Sequence, residues 1–263
     1  MRYGETHRGF ESHPLRHVCP GAARVDADPR AAVAGVHGGR VLDIATGRGG
    51  FVEVLRDGLA DFDEIVGIDI SHAGAAAFAA AFGDDPRIRF VEMDALRPAL
   101  PPGSFDTVAI SSSLHHFAGP GPVLAGAVRL LRPGGTLIVS EMYRDGQART
   151  QLTHVQLHHW WGAVDRAEGV VHRRTYRRAD IVGFVAALGL ADLRLTDAGD
   201  LAGDPLDPAA LAEVDAAIDR YLERCAARPA LVARGEALRR RLHRIGIHGA
   251  TTLVAVGRRP PAV

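Results

Sequence analysis

The chain has 263 residues, with 31 Lys+Arg against 31 Asp+Glu and 47% hydrophobic residues, so it can bury a sizeable core and carries no net charge to favour a polyanion. Every cation is arginine, because the sequence contains no lysine; a Schiff-base lysine, a lysine general base and a P-loop lysine are excluded together. Cys19 and Cys225 are too far apart for a CxxC zinc pair, the start lacks an apolar signal core, and the most apolar run, Ala73–Phe82, is too short to span a bilayer; a cytoplasmic protein without a membrane partner is expected.

Residues 1–35 mix charges, histidines and prolines without a clear period and read as an N-terminal arm, leaving 36–263 as the main domain. From Arg40 short β-rich runs alternate with longer helical ones: Val41–Ala45 then Gly50–Ala60, Glu64–Ile70 then Ala73–Phe82, Ile88–Met93, Phe105–Ser111 then Pro122–Leu131, and Thr136–Glu141. This rhythm predicts βαβ units and a parallel sheet, with Pro133-Gly134-Gly135 as a turn and Asp106 as a structural hydrogen-bonder. After Glu141 a helix is predicted over about Gln147–Glu168, another over about Arg177–Leu188, and a strand at Asp192–Thr196. Residues 207–244 read as two helices interrupted near Pro229, before a last strand at Thr251–Gly257. The helical insertions at about 147–176 and 207–244 are expected to form a substrate cover within the same domain; the second reads as a lid, a dimer surface or both.

The strongest chemical signal is Val41-Leu42-Asp43-Ile44-Ala45-Thr46-Gly47-Arg48-Gly49-Gly50, an apolar strand that ends in an acid and passes through a small-residue turn into a helix. Small residues let a ligand approach the backbone, and a helix start offers free N–H groups. The next strands also end in acids, at Asp69 in Ile65-Val66-Gly67-Ile68-Asp69 and at Asp94 in Phe90-Val91-Glu92-Met93-Asp94-Ala95. A carboxylate at the second of these tips can accept both hydroxyls of a ribose. A dinucleotide site is disfavoured because the turn lacks G-x-G-x-x-G spacing.

Over residues 40–142 these motifs resemble the class I S-adenosylmethionine-dependent methyltransferases, particularly the small-molecule group. Asp43, Gly47 and Gly49 match the family's D/E-x-G-x-G-x-G turn, with Ala45 in place of its first glycine. The resemblance implies an α/β Rossmann-like fold, a mostly parallel seven-stranded sheet with helices on both faces and inserted helices before and after the sixth strand. It implies S-adenosyl-L-methionine as cofactor and S-adenosyl-L-homocysteine as product. The turn would hold the methionine portion, Asp69 with Ile70 the ribose, Asp94 with Ala95 the adenine, and Ser111 would close the site from the fourth strand.

Histidines supply the candidates for acid–base work. His115 and His116 follow the fourth strand, at the ligand edge of an open sheet, and are the candidate general base. On the inserted helix His154, His158, Trp161 and Asp165 share one face, and the two histidines with Trp161 are the candidate acceptor-binding residues. A metal could use His154 and His158, but Asp165 lies too far along the axis and a further ligand such as His172 would be required; no metal is assigned. Seven arginines against three acids over Arg144–Arg178 read as a solvated basic face or an attractor of an anionic acceptor.

The expected activity is methyl transfer to a hydroxyl or amine of a small molecule, with specialised metabolism as one setting. Methylation of RNA or protein is the alternative, and Ser111-Ser112-Ser113-Leu114 lacks the Asn/Asp-Pro-Pro-Tyr/Phe run of amino-methylating nucleic-acid enzymes. A cofactor-binding protein of this fold without methyl transfer is the other. No nucleic-acid partner is expected, and a homodimer is left open.

Overall fold

A computed structural model describes residues 28–261. The N-terminal arm up to residue 27 and Cys19 within it lie outside the described residues. The arm's last part forms α1 (Pro29–Val33), capped by the Asp28 side chain and packed on α2 (Gly50–Gly58). Val33 and Val36 are buried there, so the core reaches slightly before residue 36.

The sheet contains β1 (Arg40–Ile44), β2 (Glu64–Asp69), β3 (Ile88–Glu92), β4 (Phe105–Ser111), β5 (Leu131–Met142), β6 (Ala191–Ala198) and β7 (Thr252–Arg258). Its seven strands run in the order β3-β2-β1-β4-β5-β7-β6. β1 to β5 pair in parallel, and β7 lies antiparallel between β5 and β6. The order reverses beside β1, so the C-terminal tips of β1, β2 and β4 converge where open α/β sheets bind ligands.

Both sheet faces are covered, which explains the near-continuous apolar strands. Leu42, Ile44, Val108, Ile110 and Val139 face α4 (Pro120–Leu130) and α6 (Arg178–Ala186). Their alternating neighbours Val41, Ile65, Ala109, Ile138 and Val254 face α1, α2 and α3 (Ala75–Phe82).

β5 begins earlier than predicted and takes in Pro133-Gly134-Gly135, which the sequence reads as a turn. Backbone bonds from Gly134 N–H to Arg259 O (2.9 Å) and from Arg259 N–H to Gly135 O (2.8 Å) draw that segment into the ladder, with a register shift against β4 between Phe105 and Thr107. Asp106 does act structurally, accepting from Arg40 N–H at 2.7 Å and pairing with Arg132 at 2.7 Å.

α5 (Gln151–Ala167) and α6 separate β5 from β6, and α7 (Pro208–Arg224) and α8 (Pro229–Ile245) separate β6 from β7. α5, α7 and α8 share a core of Leu157, Trp160, Trp161, Val214, Ile218, Tyr221, Cys225 and Leu242. Trp160 Nε1–H donates to Leu231 O at 2.8 Å, satisfying a buried polar atom inside that core. The start of α5 is fastened to the segment that leads from the insertion into β7: Gln151 Nε2 donates to Gly249 O (3.1 Å) and Thr251 Oγ1 (2.9 Å). No helix among the described residues is long and apolar enough to cross a membrane.

Candidate functional site

The glycine-rich turn leaves β1 at Ile44 and enters α2 at Gly50. Ala45 adopts φ +56°, a left-handed conformation that costs an alanine about 1 kcal/mol or more. Gly49 caps α2 at φ +86°, and a Cβ there would stand 2.4 Å from Phe82 Cε2, so this position is closed to side chains. Asp69 braces the turn from the neighbouring strand. Its Oδ2 accepts from Gly47 N–H and its Oδ1 from Ser71 N–H, both at 2.9 Å and both buried. Asp43 is buried inside β1 beneath the turn.

Along the same edge, Asp94 Oδ1 accepts from Leu96 N–H at 2.8 Å, forming a tight turn with Ala95 partly buried beside the core. Ile70 is exposed at the rim. Ser111 ends β4 and is buried. Two residues on, Ser113 Oγ donates to Ser111 O (2.6 Å) and approaches Ala45 O (3.4 Å), connecting the tip of β4 to the turn after β1. Ser112, between them, has φ +44°. Left-handed non-glycine backbone thus stands on both sides of this contact, the kind of local strain that clusters at ligand sites.

The Leu114–His116 segment forms one turn of 3₁₀ helix. Glu141, fully buried at the end of β5, holds it with both oxygens: Oε2 accepts from Ser113 N–H (3.0 Å) and Leu114 N–H (2.9 Å), and Oε1 lies 2.6 Å from His115 Nδ1. The His115 proton therefore sits on Nδ1 toward the carboxylate, and Nε2 presents a lone pair. Sequence reading missed Glu141. Its signal was the same as for Asp69, an acid closing an apolar strand at the ligand edge.

Against this turn lie His158 of α5 and His172 of the loop that follows. Ring centroids are 4.7 Å apart for His115–His158, 4.2 Å for His116–His172 and 4.8 Å for His158–His172. His172 Nδ1 is 2.6 Å from Asp165 Oδ2, and Arg224 reaches the other oxygen of Asp165 at 2.5 Å. Burial pushes the His172 imidazole below its ordinary pKa, with Asp165 pulling the other way. His172, which the sequence argument named as one possible further ligand beside His154 and His158, lies in this group while His154 does not, and Asp165 contacts the group through His172.

The predicted acceptor face divides. His158 joins the imidazole group. His154 Nδ1 accepts from Ala250 N–H at 2.9 Å, and burial lowers its pKa to about 4. Trp161 is fully buried, with its ring 5.9 Å from Tyr221, and backs the face from within the helical core. His159 looks the other way: its Nε2 is 2.9 Å from Thr175 Oγ1, and burial with nearby arginines lowers its pKa to about 3.

Much of the basic run fastens the chain. Arg144 and Arg166 bond the carbonyls of Thr175 and His172, Arg173 Nη1 donates to Ala118 O at 2.7 Å, and Arg178 makes a two-point pair with Asp197 at 2.8 and 2.9 Å. A separate cleft lined by His37, Asp106, Arg132, Arg194 and Arg258 lies at the opposite, N-terminal edge of the parallel strands.

The family model described as "Methyltransferase domain" matches residues 42–139. A demethylmenaquinone methyltransferase of Thermus thermophilus is 38% identical over 103 residues, covering 39% of this chain and 46% of that protein. A 27-O-demethylrifamycin SV methyltransferase of Amycolatopsis mediterranei is 36% identical over 109 residues, covering 40% of this chain and 39% of that protein. The match thus spans less than half the length of either relative. Among solved structures, the cyclase SpnF superposes with a TM-score of 0.58 at 21% identity, over 89% of this chain and 79% of that one, which shows the shared fold. Over residues 42–139 the chain is thus similar to the class I S-adenosylmethionine-dependent methyltransferases.

Proposed function

We propose that the protein transfers the methyl group of S-adenosyl-L-methionine to a hydroxyl or amine of a small molecule and releases S-adenosyl-L-homocysteine. The observation that carries this reading is the Ser113–Ala45 contact, which ties the turn after β1 to the segment that leads into His115 and His116. In this assignment Asp43, Ala45, Gly47 and Gly49 hold the methionine portion, Asp69 and Ile70 the ribose, Asp94 and Ala95 the adenine, and Ser111 the inner wall. Methyl transfer from a sulfonium is an in-line displacement that depends chiefly on alignment. A hydroxyl acceptor gains from a base, and His116 with His115 is the candidate pair to take its proton. His154, His158 and Trp161 shape the acceptor side.

A second reading has support from the relatives' names. Relatives named demethylmenaquinone methyltransferase and ubiquinone/menaquinone biosynthesis C-methyltransferase suggest transfer to a carbon of a quinol, where the same base would remove the ring hydroxyl proton.

Titration calorimetry with S-adenosyl-L-methionine and S-adenosyl-L-homocysteine tests the cofactor assignment. Incubation of methyl-¹³C cofactor with phenols, amines and naphthoquinols then reads the target atom from the product's carbon shift. Absence of binding by both cofactor forms would overturn the reading. Labelled carbon on a ring position would select the second version.

A further inference from the structure

We propose that His115, His116, His158 and His172 together bind one first-row divalent transition-metal ion, of the class of Zn²⁺, Co²⁺ or Fe²⁺. One nitrogen from each of these four histidines can be chosen so that all lie within 4.8 Å of one another. Tetrahedral Zn–N bonds of about 2.0–2.1 Å place neighbouring donors about 3.3 Å apart, so small side-chain rotations would close the group on an ion. A set made only of imidazoles suits borderline transition metals and is a poor match for Mg²⁺ or Ca²⁺, which take oxygen donors.

Three chain segments must converge to make this group. His115 and His116 come from the one-turn helix after β4, His158 from α5, and His172 from the following loop. Two bonds hold that loop in place, Arg173 N–H to His115 O at 2.8 Å and the Arg166 guanidinium to His172 O. Gly162 makes room for it: a Cβ there would stand 2.9 Å from His172 Cδ2.

The outer contacts are those that orient metal-bound imidazoles. Glu141 at 2.6 Å holds the Nδ1–H of His115, and Asp165 at 2.6 Å holds that of His172. Each carboxylate fixes the tautomer whose Nε2 lone pair can ligate. His115 Nε2 is buried with no hydrogen-bond partner among the described residues, a cost that a cation would remove. Glu141 adds a fully buried negative charge whose ion-pair partner among the described residues is His115. A dication would meet the His115 Nε2 lone pair and balance that charge together.

An ion held by these four nitrogens takes up the lone pairs that the proposed function assigns to a base at His115 and His116, so the two roles exclude each other there; the cofactor assignment is unaffected, and the test is separate. The chelator-dialysed full-length chain is titrated with Co²⁺ and followed by visible absorption, with Zn²⁺ then added in competition. One saturable equivalent with intense d–d bands is expected, displaced by Zn²⁺ and accompanied by a rise in Tm. The His115→Ala/His158→Ala double variant is expected to lose the bands, while H243A, which removes a half-exposed histidine of α8, keeps them. E141Q, which removes the carboxylate charge and turns His115 toward the tautomer protonated on Nε2, is expected to weaken Co²⁺ affinity about 10–100-fold. The wild-type titration decides even if the double variant does not fold. No saturable one-equivalent signal in wild type, or an unchanged signal in a folded double variant, overturns the proposal. Calorimetry with S-adenosyl-L-homocysteine on the same metal-free sample separates this failure from failure of the cofactor assignment.

Discussion

His115 Nδ1 stands 2.6 Å from Glu141 Oε1, while the other oxygen of the same carboxylate accepts both backbone N–H groups that begin the histidine turn. One side chain therefore sets both the path of the chain and the tautomer of the imidazole. Glu141→Gln separates these roles. To keep its two backbone bonds, the amide oxygen must face Ser113 and Leu114, so its NH₂ faces His115 Nδ1. The imidazole then becomes an acceptor there and moves its proton to Nε2. We expect a folded variant destabilised by about 1–3 kcal/mol, with ¹⁵N shifts reporting the reversed tautomer at His115. Retention of the Nδ1–H form would show that the carboxylate does not govern the ring.

Ala45 holds a backbone conformation that glycine adopts freely, at φ +56° in the turn after β1. Ala45→Gly removes the Cβ strain but adds entropy to the unfolded chain. The first effect is about 1–2 kcal/mol and the second about 0.5–1 kcal/mol. A net gain in stability of about 0.5–1 kcal/mol is expected, read as a higher urea midpoint with unchanged slope. A lower midpoint would mean that the alanine methyl makes contacts worth more than its strain.

Asp69 carries two buried backbone bonds, to Gly47 and Ser71, before any ligand arrives. Asp69→Ala removes those and, in the proposed assignment, two charge-assisted bonds to ribose hydroxyls. At about 1.5 kcal/mol or more for each of the latter, affinity for S-adenosyl-L-homocysteine should fall about 100-fold or further. Asp69→Asn, which keeps one acceptor oxygen, should fall between the two. Calorimetric affinity equal to wild type in the alanine variant would remove Asp69 from the site.

The sheet was legible because its strands are buried on both faces and alternate with amphipathic helices of ordinary length. Val41 and Leu42 pack on opposite layers, as strand alternation requires. The Pro133-Gly134-Gly135 segment misread as a turn shows where local propensity yields: its pairing partner, Arg259, lies more than a hundred residues away. The acids at the tips of β1 and β2 stood out by position, and Glu141 carried the same mark. What could not be read was convergence. His115-His116 and the His154/His158 pair were each visible, yet nothing local says that the loop at His172 folds back onto Gly162, or that Asp165 reaches the group through His172 and not along its own helix.

His154 provides a stability switch whose sign follows from its hydrogen bond. Nδ1 accepts from Ala250 N–H at 2.9 Å, so a second proton on the ring must break that bond, and burial lowers the folded pKa to about 4. An unfolded histidine titrates near about 6.5. Above that pH both states are neutral, and the contribution is fully present. As pH falls below it, the unfolded chain takes up a proton that the folded chain refuses, so stability declines by up to about 1.4 kcal/mol per pH unit. The decline ends near pH 4, where the folded imidazole also protonates. His154→Asn places an oxygen near the position of Nδ1 and has no proton to gain. Urea unfolding of both proteins between pH 4 and pH 7 should therefore give a steeper acid loss in wild type, by about 3 kcal/mol across the window. Parallel pH profiles would show that the Ala250 bond does not hold the ring neutral.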